Sequence, residues 1–391
     1  MQSEAQADFL IIGAGFAGLV IAERLAAAGW KCVVVDRRSH LGGNAYDEID
    51  AAGVLIHRYG PHYFRTNSSR IIDYLSRFTE WHEVDYTIKS FARGMYWSFP
   101  INLNTYEEYL GRSSSSEEFA AWLETVRVPI AEPENSEEVV ISQIGRELYE
   151  LFFENYTLKQ WCRHPRELDP SVCGRIPVRT NRDNRYLTEQ YQALPRHGFT
   201  AMFERMVDAS PRLELHLGME YQEACERWRF RHLVFTGALD EYFDYLHGPL
   251  PYRSLRFEAE SFSIGQLAGR EAIVGKSGYW QPAVQVNFPG LEVSYTRIVE
   301  MKHATGQRVD ATTIIREYPK DWRRGEDAYY PVPAPESRAA YQRYAMLADA
   351  ERNVSFVGRL ATYRYYNMDQ VIGMALAEAH KLIDRYGSQT S

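Results

Sequence analysis

The sequence predicts an α/β protein: a Rossmann-like dinucleotide-binding domain with an inserted helical bundle and an antiparallel β-sheet domain. Three observations carry this. Residues 9–36 run as apolar strand, glycine turn, helix and second apolar strand. Residues 105–165 show helical spacing (EEYLGR, EEFAAWLETV, ISQIGRELYELFFENY), broken by a polar, proline-bearing stretch at 130–138. Residues 81–104 and 250–335 alternate as antiparallel strands do, in SFSIGQL, AVQVNF and VSYTRIV.

In the first unit, Phe9 to Ile12 suit a buried parallel strand. Gly13-x-Gly15-x-x-Gly18, with Phe16 in its midst, supplies a tight turn, close backbone approach to a pyrophosphate and close helix–strand packing. Leu19, Ala22, Leu25 and Ala26 continue at helical spacing until Gly29. The second strand ends in Asp36, an acid placed to accept a ribose hydroxyl and disfavour a 2′-phosphate. To this point FAD and NAD both fit. The next segment, Arg38 to Asn44 with paired Gly42 and Gly43, favours FAD, because glycines there let backbone approach a flavin dinucleotide closely. The pattern is similar to two-domain FAD enzymes of the amine-oxidase type.

Bulk properties narrow the classes. The formal charge, 44 − 52 = −8, gives no global case for nucleic acid or an anionic membrane. The four cysteines show no metal spacing, so no metal site is expected, and a reducing cytoplasm fits them. The N-terminus is polar and acidic, unlike a targeting peptide, and the longest apolar run is too short to span a bilayer. The expected organisation is discontinuous. Residues 1–80, about 190–245 and about 340–391 form the dinucleotide domain, 105–165 the helical substrate domain, and 81–104 with 250–335 the sheet domain. The stretch 163–180 is expected as a mobile active-site loop, 113–116 as a short loop, FVGRL (356–360) as a strand and 368–382 as a helix.

Ten ordered segments carry a fuller resemblance: GAGFAG (13–18), RSHLGGNAYD (38–47), YGPHYFRTN (59–67), SFPINLNT (98–105), NYTLKQW (155–161), RIPVRTNRDNRY (175–186), EYFDYLHGPLPYRSLRFE (241–258), YTRIVEMKH (295–303), YYPV (329–332) and GRLATYRYYNMDQVI (358–372). Along nearly its whole length the chain resembles the bacterial UDP-galactopyranose mutases. The resemblance implies a pyranose-to-furanose ring contraction of a nucleotide-linked hexose, with FAD active in its reduced form. Flavin N5 would act as covalent nucleophile on the anomeric carbon and expel UDP. It also implies an external reductant such as NAD(P)H, a homodimer and a role in cell-wall polysaccharide biosynthesis.

The residues suit that chemistry. Seven arginines fall between 163 and 196 in a net-acidic chain; Arg163, Arg166 and Arg182 read as solvated surface. The resemblance singles out Arg175 as a diphosphate ligand, with Arg297 as the second cation; guanidinium forks match phosphate oxygens. Tyr330 and Tyr365 look like the tyrosines bonding the same diphosphate. Phe152, Phe153, Tyr156 and Trp161 form an aromatic stripe that is core by default. The resemblance moves Tyr156 and Trp161 to the substrate cleft and Phe152 against uracil, with Tyr186 and Asn287 as further contacts. Arg359 resembles the family's flavin-contacting arginine. A helix N-terminus at Met368 would stabilise an anionic reduced flavin. His62 matches the cleft histidine beside the flavin, able to hold a ring or sugar hydroxyl and to shuttle a proton.

Two positions depart from the family. Arg65 replaces a histidine near the sugar. A guanidinium there could reach an acetamido carbonyl, which makes UDP-N-acetylgalactosamine a candidate substrate, or it could face a carboxylate or solvent. Asn367 stands where the family has Asp, which opens a 6-deoxyhexose such as dTDP-fucopyranose. From other classes, an amine-oxidase-like flavin oxidoreductase and an inactive nucleotide-sugar binding protein stay open.

Overall fold

The computed structural model describes residues 5–387, so positions 1–4 and 388–391 of the two terminal segments fall outside the described residues. A five-stranded parallel sheet runs in the order Leu213–Leu217, Cys32–Asp36, Phe9–Ile12, His232–Phe235, Val354–Phe356. Its central strands are apolar apart from Asp36 and His232 at strand ends, because both faces are covered. The helix Phe16–Ala27 packs on the C-terminal helix Met368–Tyr386, and the Trp30 indole donates to the Gly387 carbonyl at 3.0 Å. Gly18 allows the first helix to lie against its own strand turn. A Cβ there would sit 1.9 Å from the Gly13 carbonyl oxygen.

Two sequence expectations shift here. FVGRL is not one strand: pairing covers Val354–Phe356 and stops before Gly358, which takes φ +100°. The final helix runs to Tyr386, four residues past the expected end. The extra turn is held because Ile383 and Tyr386 pack against the core, Tyr386 edge-on to Phe9 and Trp30.

The second large sheet has seven strands, ordered Tyr330–Pro331, Tyr252–Ser263, Ala311–Asp321, Arg297–Val299, Gln285–Asn287, Ile88–Ala92, Met95–Phe99. Every pair is antiparallel except Gln285–Asn287 with Ile88–Ala92. SFSIGQL leaves this sheet at Ser263, after which Ile264–Leu267 make a 3-10 turn. Trp81–Glu83 belongs elsewhere: it pairs with Tyr191–Pro195, which also pairs with Phe64–Thr66.

Helices Leu103–Leu110, Ser116–Val126 and Ser136–Tyr149 are capped by Asn102, Ser115 and Asn135, whose side chains accept from backbone N–H groups of the first turn. After Tyr149 the chain makes a π-helical turn, Glu150–Glu154, and then the short helix Asn155–Trp161. The fold is therefore the expected α/β class with a helical insertion and a largely antiparallel sheet.

Candidate active site

At the carboxyl ends of the parallel strands lies a groove lined by Gly13, Gly15, Phe16, Asp36, Arg38, Gly42, Gly43, Asn44, His62, Arg359 and Met368. Gly18 sits behind this surface as a packing residue. The two glycine turns touch: a Cβ on Gly43 would lie 3.2 Å from Gly15 Cα. Among the described residues no side chain caps the helix that starts at Phe16, and its first residues, Phe16 and Ala17, line the groove. This bare-backbone cradle fits a dinucleotide pyrophosphate. Asp36 does more than the sequence suggested. Its carboxylate accepts from Ala14 N at 2.8 Å and Arg38 N at 2.9 Å, bracing the turn, with lone pairs to spare for a ribose. Arg38 donates to Asn44 Oδ1 at 2.9 Å, pairs with Asp327 at 3.0 Å and lies over the Tyr59 ring.

His62 is a groove residue of fixed tautomer. Its Nδ1 lies 3.0 Å from the Gly60 carbonyl, which can only accept, so Nδ1 carries the hydrogen and Nε2 the lone pair. Burial pushes the imidazole down to about 3. Burial thus favours the neutral ring, which leaves Nε2 as an acceptor.

A second cleft opens beside the groove, walled by Phe152, Tyr156, Trp161, Arg175, Tyr186, Asn287, Arg297, Tyr330 and Tyr365. Arg175 follows the short helix Ser171–Gly174 and stands 4.8 Å from the centre of the Tyr365 ring. Tyr365 and Tyr330 are stacked at 5.5 Å, and Trp161 is tilted 6.1 Å from Tyr330. Burial raises the Tyr365 phenol, but the charges of Arg175 and Arg359 outweigh it and bring the hydroxyl below its ordinary value. Arg359 links the two spaces: it lines the groove, donates to Tyr366 O at 2.6 Å, and lies 5.1 Å from the Tyr365 ring centre and 5.7 Å from that of Tyr330. Phe152 sits at the back of the cleft, buried against Trp97 and Phe99. Asn287 is held by Gln285, whose amide donates to its Oδ1 at 2.8 Å.

Of the seven arginines between 163 and 196, only Arg175 lines these two spaces. Arg163 pairs with Glu336 and Arg182 with Glu107 at the surface, while Arg179 donates to the carbonyls of Arg185 and Leu187. Arg65 lines an outer mouth of the cleft with Arg175, Trp161, Glu189, Tyr365 and Asn367. Its guanidinium is already engaged, donating to Asn367 Oδ1 at 2.6 Å and pairing with Glu189 at 3.2 Å. The two departures from the family pattern are thus hydrogen-bonded to each other.

Sequence reasoning missed Glu317. It faces Arg297 across the strand pair, and Arg297 Nε donates to its Oε2 at 2.7 Å. The carboxylate is 1% exposed, and its other oxygen has no hydrogen-bond partner among the described residues. Burial pushes the Glu317 carboxyl up while Arg297 pulls it down; the guanidinium keeps its charge. The available signal was parity: Glu317 shares a strand face with Ile315 and Thr313, both buried.

A family model described as UDP-galactopyranose mutase matches residues 151–365, more than half of the chain. The chain belongs to the UDP-galactopyranose mutase family. A model of the NAD(P)-binding Rossmann-like domain matches residues 11–78. Among family relatives, a probable UDP-galactopyranose mutase of Klebsiella pneumoniae is 34% identical over 385 residues, covering 98% of this chain and 96% of that protein. A dTDP-fucopyranose mutase of Escherichia coli is 32% identical over 375 residues, covering 94% and 96%. The crystal structure of a reduced UDP-galactopyranose mutase superimposes with a TM-score of 0.74 at 16% identity, over 97% of this chain and 94% of that one.

Proposed function

We propose that this family member is an isomerase that interconverts UDP-galactopyranose and UDP-galactofuranose, or their 2-acetamido analogues, with FAD in the dinucleotide groove. One observation supports it most: two arginines and two tyrosines converge where the cleft meets that groove, with Arg359 shared between them. When bound and reduced, the flavin supplies the nucleophile that displaces UDP from the anomeric carbon. The chain's own groups do the rest. Arg175 and Arg297 neutralise the departing diphosphate, and Tyr330 and Tyr365 donate to it. Phe152, Tyr156, Trp161, Tyr186 and Asn287 hold the uridine. His62 offers Nε2 to a sugar hydroxyl or the flavin edge, and Arg65 faces the hexose. The loop 163–180 carries Arg175 over the bound substrate. The reading includes NAD(P)H as external reductant, a homodimer and a cytoplasmic setting; among the described residues no helix is long and apolar enough to cross a membrane.

A second reading, conversion of dTDP-fucopyranose, draws on the Arg65–Asn367 bond and the E. coli relative. One experiment separates them: dithionite-reduced protein is incubated in parallel with UDP-galactose, UDP-N-acetylgalactosamine and dTDP-fucose, and furanose is measured by NMR. The expected result is furanose from a UDP-sugar only after reduction, with Arg65→His shifting the ratio of the two UDP-sugars. Turnover of an amine by the oxidised protein would establish the oxidase reading instead, and no furanose from any sugar would sink the mutase one.

A further inference from the structure

We infer that Lys159 is a positioning residue that locks the aromatic wall of the cleft to its cationic wall. The inference rests on the nucleotide-sugar reading of the cleft. Lys159 lies on the helix Asn155–Trp161, between Tyr156 and Trp161, yet lines neither the groove nor the cleft. Its ammonium turns the other way. Nζ donates to the carbonyls of Phe288 at 2.5 Å, Gly290 at 2.6 Å, Val293 at 3.1 Å and Tyr295 at 3.0 Å.

Those four carbonyls belong to one segment, 288–295, which joins the strand Gln285–Asn287 to the strand Arg297–Val299. The segment is irregular, so its carbonyls find no ladder partners, and four dipoles aimed at one point need a compact cation. An ammonium's three hydrogens can serve four oxygens if one is shared, and its compact charge faces all four; a planar guanidinium cannot present itself that way. The neighbouring residue adds two fastenings. Thr296 donates to Gln160 Oε1 at 3.2 Å, and Arg253 Nε donates to the Gln160 carbonyl at 3.1 Å. One end of the bridged segment fixes Asn287 and the other fixes Arg297. The helix on the far side fixes Tyr156 and Trp161. Lys159 therefore sets the spacing between groups that grip the base and groups that grip the diphosphate, without touching either.

The test uses flavin-loaded full-length protein and UDP as the probe. Lys159→Met should weaken the dissociation constant for UDP at least tenfold per flavin-loaded site, leaving the bound-flavin spectrum unchanged. Lys159→Arg, which keeps the charge and loses the shape, should bind more weakly than the parent as well. Parent-like UDP affinity in Lys159→Met would overturn the assignment, since a merely structural lysine would lower thermal stability and leave affinity per site alone. Hydrogen exchange on the unaltered protein gives a second measurement that needs no variant. UDP should slow exchange in 155–161 and 288–295 together. Protection of the helix without the 288–295 segment would overturn the lock. No protection of either would overturn the nucleotide-sugar reading, and the lock with it.

Discussion

Arg175 and Arg297 carry the same charge in very different settings. Arg175 leans on an aromatic ring, whereas Arg297 is bonded to a buried carboxylate. Replacing either by alanine should remove about 3–4 kcal/mol of transition-state binding, roughly 100- to 1000-fold in kcat/KM of the reduced protein. The two variants should part in a thermal melt. Arg297→Ala strands Glu317 without a partner and should lower Tm, while Arg175→Ala should leave it nearly unchanged. Equal melting with near-parent rates would remove both from the diphosphate site. Arg175 was legible in the sequence only through the family segment that holds it, because a run of seven arginines gives no internal ranking. Glu317 was not, since its meaning depends on a cross-strand neighbour twenty residues away.

At the scale of elements, helix starts were legible where the cap is local. Asn102, Ser115 and Asn135 immediately precede the helices they cap. The helix Phe199–Asp208 is different: Asp47, 152 residues upstream, accepts from Phe199 N at 2.6 Å and Thr200 N at 2.8 Å. Asp47→Ala should cost about 1–2 kcal/mol through loss of this cap, read as a lower denaturant midpoint at unchanged m-value. A midpoint equal to the parent's would mean that other groups satisfy those amides. Trp81–Glu83 escaped for a related reason: alternation identifies a strand but not its sheet. Nor does periodicity reveal the π turn at Glu150–Glu154. Its added residue re-phases the helix, so Phe153 packs against Phe99 while Tyr156 and Trp161 reach the cleft.

Across the whole molecule, burial sets how stability responds to acid. Burial pushes His57 and His62 each down to about 3 and His232 to about 4, against 6.5 for a free imidazole. Between those values the unfolded chain binds more protons, so stability is fully present above pH 6.5 and falls as pH drops. Each imidazole contributes up to about 1.4 kcal/mol per pH unit well below 6.5. Buried carboxyls raised by desolvation, such as Asp47 and Asp240, work in the opposite sense. Urea midpoints should therefore decline from pH 7 to pH 5; a flat profile would contradict neutral burial of these rings. The fold class was legible because the first strand, glycine turn and helix are contiguous. The remaining strands of that sheet come from 213–217, 232–235 and 354–356, and nothing local announces their order.

That interleaving bears on how the protein is made. The edge strand Val354–Phe356, together with Arg359 and Met368, comes from the end of the chain. During synthesis the glycine turn emerges well before Arg359 and Met368, so its groove gains a second side late. A group seated in that groove would therefore clasp together parts of the chain that are made far apart in time.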